Sequence, residues 1–226
     1  MTPKALIFDA STLINLSMNG LLDVLEALKK IFRGKFLITE AVEYETIAHP
    51  LQIKKFELGA LKIKQLLNKK ILELPSSLGI KNSEMEERIK EILKSANSSF
   101  FAKDSYLHLI DNGEASCLAL SELLTDKGIK NLVVMDERTT RMLCEKPENL
   151  RTLMENKLHT KITTKKENFS EFSKFKIIRS CELMYIAYKN KLIDLKNGNV
   201  LDALLYAVKY KGCSVSRNEI EAMKNL

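Results

Sequence analysis

The sequence predicts an α/β protein built on a parallel sheet covered by helices, and three observations carry that expectation. Short apolar runs suited to buried strands alternate with stretches of helical period from the N-terminus onward. Two of those runs, Lys4–Phe8 and Asn131–Met135, each lead straight into an aspartate, Asp9 and Asp136, with small hydroxyl residues close behind. At 226 residues the chain can bury a large core as one domain with insertions, and no repeat or low-complexity tract divides it.

Taken in order, Thr12 to Ser17 reads as a short helix that Gly20 breaks, and Leu21 to Leu28 as a second that Arg33-Gly34 ends. Lys35 to Thr39 reads as a strand. Thr39 then caps a helix over Glu40 to Ala48, which His49-Pro50 stops. Residues 51–70 read as a lysine-rich amphipathic helix and Ile71 to Pro75 as a strand. Ser83 and Glu86 have capping-box spacing ahead of a charged helix to about Lys94. Ser95 to Phe101 is polar and reads as a loop. Asn112 caps a helix that runs to about Asp126 and ends at Gly128, and the strand into Asp136 precedes a helix over Arg138 to Cys144. Asn149 to Leu158 reads as helical, and Thr160 to Lys174 is polar enough for an exposed loop. Phe175 to Ile178 suits a last strand. Helices over 182–189, 199–210 and 217–224 close the chain, the last with a Ser216/Glu219 capping box.

Composition narrows the chemistry. The 36 basic and 29 acidic side chains leave a net charge of +7, which favours an anionic partner such as nucleic acid, although a lysine-rich solvated surface gives the same number. Cys117, Cys144, Cys181 and Cys213 are far apart, and His49, His108 and His159 have no second ligand at zinc spacing. Reduced thiols in a cytoplasmic protein are the expectation. No stretch reaches the roughly 18–20 apolar residues of a membrane helix, so a soluble protein with no membrane partner is expected. GxGxxG, P-loop and GxSxG patterns are lacking. Ser11 stands where an aspartyl-phosphate enzyme would carry its second acid.

Four acids fall where the edge of a parallel sheet could use them. Ligands of open α/β sheets gather beyond the carboxyl ends of the strands, where Asp9 and Asp136 would sit. Glu114 lies in the first turn of a helix, and Glu45 lies in the helix after the second strand, with Glu40 and Glu43 as competitors. Each has a structural explanation as well: the aspartates as helix caps, Glu114 as a complement to a helix dipole, Glu45 as a surface acid. Were they to converge, each pair at ~4 Å would repel by about 4 kcal/mol at an effective dielectric near 20. Only protons or cations relieve that. Oxygen ligands without histidine or thiolate point to Mg²⁺ or Mn²⁺, and such a cluster on a basic protein points to phosphodiester hydrolysis.

These residues resemble the PIN domain family of small metal-dependent ribonucleases. Phe8-Asp9-Ala10-Ser11-Thr12-Leu13-Ile14 is similar to its first acidic motif, and Thr39-Glu40-Ala41-Val42-Glu43-Tyr44-Glu45 to its second, which selects Glu45 over its neighbours. Asp111-Asn112-Gly113-Glu114-Ala115 is similar to the Gly-Glu-Ala form of the third motif, and Val133-Val134-Met135-Asp136-Glu137-Arg138 to the fourth. Ile193, Leu201, Leu204 and Leu205, then Gly212 to Ser216, resemble the tail of the same branch, so the likeness touches both ends and the middle.

The resemblance implies a three-layer α/β/α fold, a twisted parallel sheet with helices on both faces. Helical insertions would fall at about 51–105 and 146–174, and a helical tail at about 182–226. Asp9, Glu45, Glu114 and Asp136 would hold one or two Mg²⁺ or Mn²⁺ ions, and Ser11 or Thr12 would support Asp9. A further acid common in the family about a turn after Asp136 is replaced by Thr139 and Thr140, while Glu137 should point elsewhere. Arg138, Arg141, Lys161, Lys165 and Lys166 are the candidate phosphate contacts. The implied activity is an endoribonuclease with RNA as substrate, either the toxin of a toxin–antitoxin pair or an RNA-processing enzyme. An antitoxin and a second copy of the chain are the implied protein partners. The alternatives are a PIN-like module that binds RNA without cleaving it and, ranked lower, a structure-specific DNA nuclease.

Overall fold

The structure is a computed structural model and describes residues 3–196 and 198–226. The chain opens with β1 (Lys4–Phe8), α1 (Ala10–Met18), α2 (Leu22–Ile31), β2 (Lys35–Leu37) and α3 (Glu40–Glu43), which continues as a π-helical turn over Tyr44–Ala48. Next come α4 (Glu57–Asn68), α5 (Asn82–Ala96), the hairpin β3 (Phe100–Ala102) and β4 (Ser105–Tyr106), α6 (Asn112–Asp126) and β5 (Lys130–Val134). The remainder is α7 (Arg138–Glu145), α8 (Pro147–Leu158), β6 (Thr163–Thr164), α9 (Phe169–Phe172), β7 (Ile177–Ile178), α10 (Ser180–Lys189), α11 (Val200–Tyr210) and α12 (Arg217–Lys224).

The main sheet has the order β2-β1-β5-β7 and is parallel throughout. β1 and β5 are its centre, in register from Lys4 opposite Lys130 to Phe8 opposite Val134. Ile7, Phe8, Val133 and Val134 are fully buried, as a strand covered by helices on both sides requires. The three-layer α/β/α architecture and the helical C-terminus are therefore as expected. Phe8 meets Phe36 edge-to-face at 5.2 Å and ties β1 to β2; truncating it to alanine should cost about 3–5 kcal/mol. One hydrophobic core runs from Ala5 to Met223. Among the described residues no helix is long and apolar enough to cross a membrane.

Several local expectations need correction. Ile71 to Pro75 is not a full strand: Glu73 alone exchanges hydrogen bonds with Phe36 and Ile38 beside β2. The helix expected over 51–70 is split, because Pro50–Gln52 forms a tight 3₁₀ turn before α4. The charged helix α5 starts earlier than expected, with the Lys81 N–H donating to Glu84 in place of a Ser83/Glu86 box. Asp111, not Asn112, caps α6.

The larger correction concerns the two insertions, which build one substructure. Phe100 opens β3 where a loop was expected, and the expected loop 160–174 holds β6 and α9. β3 pairs antiparallel with both β4 and β6. Phe100, fully buried, packs edge-to-face on Phe169 at 5.9 Å, and Asn168 donates to Ser95, Ser98 and Ser99. Local polarity hid this, because the serines and Asn168 are paired with each other across about seventy residues of chain.

Candidate functional site

The carboxyl ends of β1 and β5 carry acids, and the N-terminus of α6 is brought against them. Asp9 is buried and caps α1: its Oδ2 accepts from the Ser11 N–H at 3.1 Å and the Ser11 hydroxyl at 2.5 Å. Its Oδ1 is met by the weak thiol donor of Cys117, 4.0 Å away on α6, and the Ala10 N–H also donates to the carboxylate. Glu45 rides on the π-helical turn, an insertion type that recurs at functional sites because it re-aims side chains. Its carboxylate lies against the backbone of Gly113, where a Cβ would stand 2.6 Å from Glu45 Oε1. A larger residue there would push the Glu45 carboxylate aside. Glu114 belongs to the same first turn of α6, and its Oε2 accepts from the Asp111 N–H at 2.9 Å.

The electrostatics agree with that convergence. Burial pushes the Asp9 carboxyl above its ordinary value, against the hydrogen bonds from Ser11. Glu45 is raised by desolvation and then by the charges of Asp9 and Asp111. Glu114 is raised to about 7, again by desolvation first and by Asp9 next. Burial and the charges of Asp9, Glu114 and Glu45 also raise the Cys117 thiol well above its usual range. Among the described residues no lysine, arginine or histidine lies within 4.0 Å of the Asp9, Glu45 or Glu114 carboxylates. The helix N-termini of α1 and α6 are what offsets the charge locally.

Asp136 is placed differently from its three partners in the sequence motif. It is 1% exposed, and both oxygens are engaged: Oδ1 accepts from the Ser180 N–H at 2.8 Å and Oδ2 from the Asn15 amide at 2.8 Å. Its own N–H donates to the Ser11 hydroxyl, so Ser11 bridges the two aspartates. Asp136 therefore ties β5 to α10 and α1. Asn15, which sequence reasoning missed, also donates to Val208 and is oriented by Asn19. Its signal was a lone amide inside the apolar run Leu13-Ile14-Asn15-Leu16.

Glu137 caps α7, accepting from the Thr139 N–H at 2.8 Å and the Thr140 N–H at 2.6 Å, and its charge adds a small contribution at Asp9 and Glu114. Thr139 and Thr140 serve it through their backbone, while the buried Thr140 hydroxyl has no partner. Thr12, buried, donates to the Val134 carbonyl instead of to Asp9.

The basic candidates separate into groups. Arg138 is exposed at the start of α7. Arg141 is turned inward onto Glu145 and the Ser214 carbonyl, so it is a structural tie, not a free phosphate contact. Lys161, Lys165 and Lys166 are exposed around β6, with Lys166 paired to Glu148 at 3.4 Å. Glu45 opens onto a groove of 530 Å³ that it shares with Ile14, Met18, His49 and Phe56. Among the described residues no three His, Cys, Asp or Glu side chains stand close enough together to hold a metal ion. No family model, curated protein or solved structure matches the chain.

Proposed function

We propose that the chain is a PIN-like, Mg²⁺- or Mn²⁺-dependent endoribonuclease whose metal ligands are Asp9, Glu45 and Glu114. One observation carries the reading: three acids gathered near the first turns of α1 and α6 have raised proton affinities and, among the described residues, no lysine, arginine or histidine within ion-pair distance. A structural acid is normally matched by a base or a full set of donors. These are not, and a hard divalent cation is the partner that an all-oxygen set suits. Like charges spread apart when nothing bridges them, which fits a set that is not closed on itself.

A bound cation would activate water for attack on a phosphodiester and stabilise the charge that develops on the phosphoryl oxygens. The chain's own residues do the positioning. Ser11 fixes the Asp9 carboxylate and, through the Asp136 N–H, the spacing of β1 and β5. Gly113 leaves room for Glu45 to reach the α6 turn. Asp136, held by Asn15 and Ser180, keeps the β5–α7 turn rigid, so that Glu137 stays on the α7 N-terminus facing the other acids. Arg138, exposed at that turn, is the basic residue best placed for a phosphate.

The test is cleavage of single-stranded RNA with Mn²⁺, accompanied by calorimetric Mn²⁺ titration of the wild type and Asp9→Asn. Metal uptake and cleavage that both disappear in the variant support the reading; cleavage that survives Asp9→Asn and EDTA overturns it. A second reading, a module that binds RNA without hydrolysing it, draws on the commitment of the Asp136 and Glu137 oxygens to hydrogen bonds, which leaves fewer free ligands than the motifs suggested. RNA binding without turnover under any divalent ion would favour it.

A further inference from the structure

The three-stranded sheet made by the two insertions presents two faces of opposite character. Phe100 and Ala102 point inward and are buried. Phe101 and Tyr106, directly opposite one another across β3 and β4, point outward at 39% and 49% exposure, with their rings edge-to-face at 5.3 Å. Thr163 continues the same cross-strand row on β6, also exposed. The Lys165 ammonium stands 4.9 Å over the Tyr106 ring with the charge of Glu167 nearby, and Lys103 and Lys161 are exposed at the margins, with Asp104 on the hairpin tip.

We infer that this face is a stacking platform for unpaired bases of single-stranded RNA, with Phe101 and Tyr106 beneath the bases and Lys165 at the backbone. Scattered exposed aromatics need no explanation, but two held opposite each other on adjacent strands and rimmed by lysine match what unpaired nucleic acid offers: π faces and a phosphate chain. A protein partner would want a wider apolar area, and Thr163 and the lysines interrupt this one. The location fits as well. Tyr106 is five residues from Asp111, no more than about 17 Å along the chain, and the charge of Asp111, like that of Asp9, reaches Glu45. RNA stacked on the platform would thus be led to the carboxylates at the start of α6. The inference rests on the nuclease reading only for that direction; binding itself stands apart.

The experiment is fluorescence anisotropy of the full chain with a labelled oligouridylate of about ten nucleotides, within the range of known single-strand sites, in EDTA so that no cleavage occurs. Phe101→Ala/Tyr106→Ala should weaken binding by at least about 5- to 150-fold, the range that a single base–aromatic stack gives. Phe101→Tyr/Tyr106→Phe should restore it. Lys165→Gln should lower the salt slope by about one contact's worth. Both rings lie outside the core, so an unchanged melting temperature certifies the fold of the variants. Affinity of the double alanine variant within twofold of wild type, or duplex RNA binding as tightly as the single strand, would overturn the platform. Because the assay needs neither metal nor turnover, its failure leaves Mn²⁺-dependent cleavage to be judged separately, and the reverse holds too.

Discussion

Two groups of acids in this molecule are perturbed in opposite directions. At the C-terminal latch, the largely buried Arg179 donates to Glu182 at 2.5 Å, to Glu219 at 2.8 Å and to the Ser214 carbonyl at 2.8 Å. Burial would raise Glu219, but hydrogen bonds from Ser216 and Arg179 outweigh it and hold the carboxyl at about 2. Glu182 is lowered in the same way, Arg179 overcoming its desolvation. At the start of α6, burial raises Asp9, Glu45 and Glu114 and nothing basic answers it. Charge that is matched holds a tail in place; charge that is left unmatched raises proton affinity, and perturbation of that kind marks functional sites more often than structural ones.

The strongest way to break this comparison is to exchange one aspartate at a time. Asp9→Asn should lower Mn²⁺-dependent cleavage by more than about 100-fold, since loss of a direct ligand should exceed the 10–100-fold typical of residues behind the ligands. Asp136→Asn should act on the fold instead. Whichever way the new amide turns, its NH₂ faces the Ser180 N–H or the Asn15 NH₂, and a buried donor without an acceptor costs about 1–3 kcal/mol. Denaturant melts should show that loss, with calorimetric Mn²⁺ affinity kept within about twofold. Equal loss of Mn²⁺ in both variants would make Asp136 a ligand and erase the distinction.

The latch offers the converse. Arg179→Ala should cost about 1–3 kcal/mol, less than a fully buried pair would, because Glu182 and Glu219 are partly solvated. The sign with pH follows from Glu219, whose folded value of about 2 lies below its ordinary 4.5. Its contribution is complete above about pH 4.5 and is lost as pH falls toward 2. The stability gap between wild type and Arg179→Ala, measured by urea melts, should therefore shrink in acid; a gap that widens there would contradict the pairing.

What the sequence disclosed follows from how local each signal is. β1 and β5 were legible because four or five consecutive apolar residues have no other use, and the Ser216/Glu219 box because both hydrogen bonds close within four residues. Asp9, Glu45 and Glu114 were legible as motif positions, but the separate fate of Asp136 was not. Its partners, Asn15 and Ser180, are 121 and 44 residues away and carry no local pattern. The same holds for β3 and β6, whose pairing spans the whole of α6, β5, α7 and α8.

Glu114→Gln sharpens the contrast more gently. With a folded value of about 7 against 4.5 unfolded, Glu114 binds its proton more tightly in the folded chain, so the metal-free protein loses stability as pH rises from about 4.5 through 7. The variant lacks that ionisation. Its melting temperature in EDTA should match wild type near pH 5 and exceed it by a few degrees at pH 8. Added Mn²⁺ should raise the wild-type value at pH 8 and leave the variant little changed. A variant less stable than wild type at pH 8 would show that the carboxylate is stabilising as it stands.

Gly113→Ala is the smallest change and separates geometry from charge. The new methyl would stand 2.6 Å from Glu45 Oε1 and 2.9 Å from Oε2, too close for either, but the obstructed group is the end of a long side chain at the solvent rim. Glu45 can swing away, and alanine is the better helix former by about 1 kcal/mol. Global stability should thus hold or rise slightly, while Mn²⁺ affinity falls about 10-fold because one ligand is displaced without any charge being removed. At the latch a displaced carboxylate would register as lost stability; at the start of α6 it should register only as lost metal. An alanine variant that binds Mn²⁺ as wild type does would remove Glu45 from the ligand set, and with it the reason for a glycine at that turn.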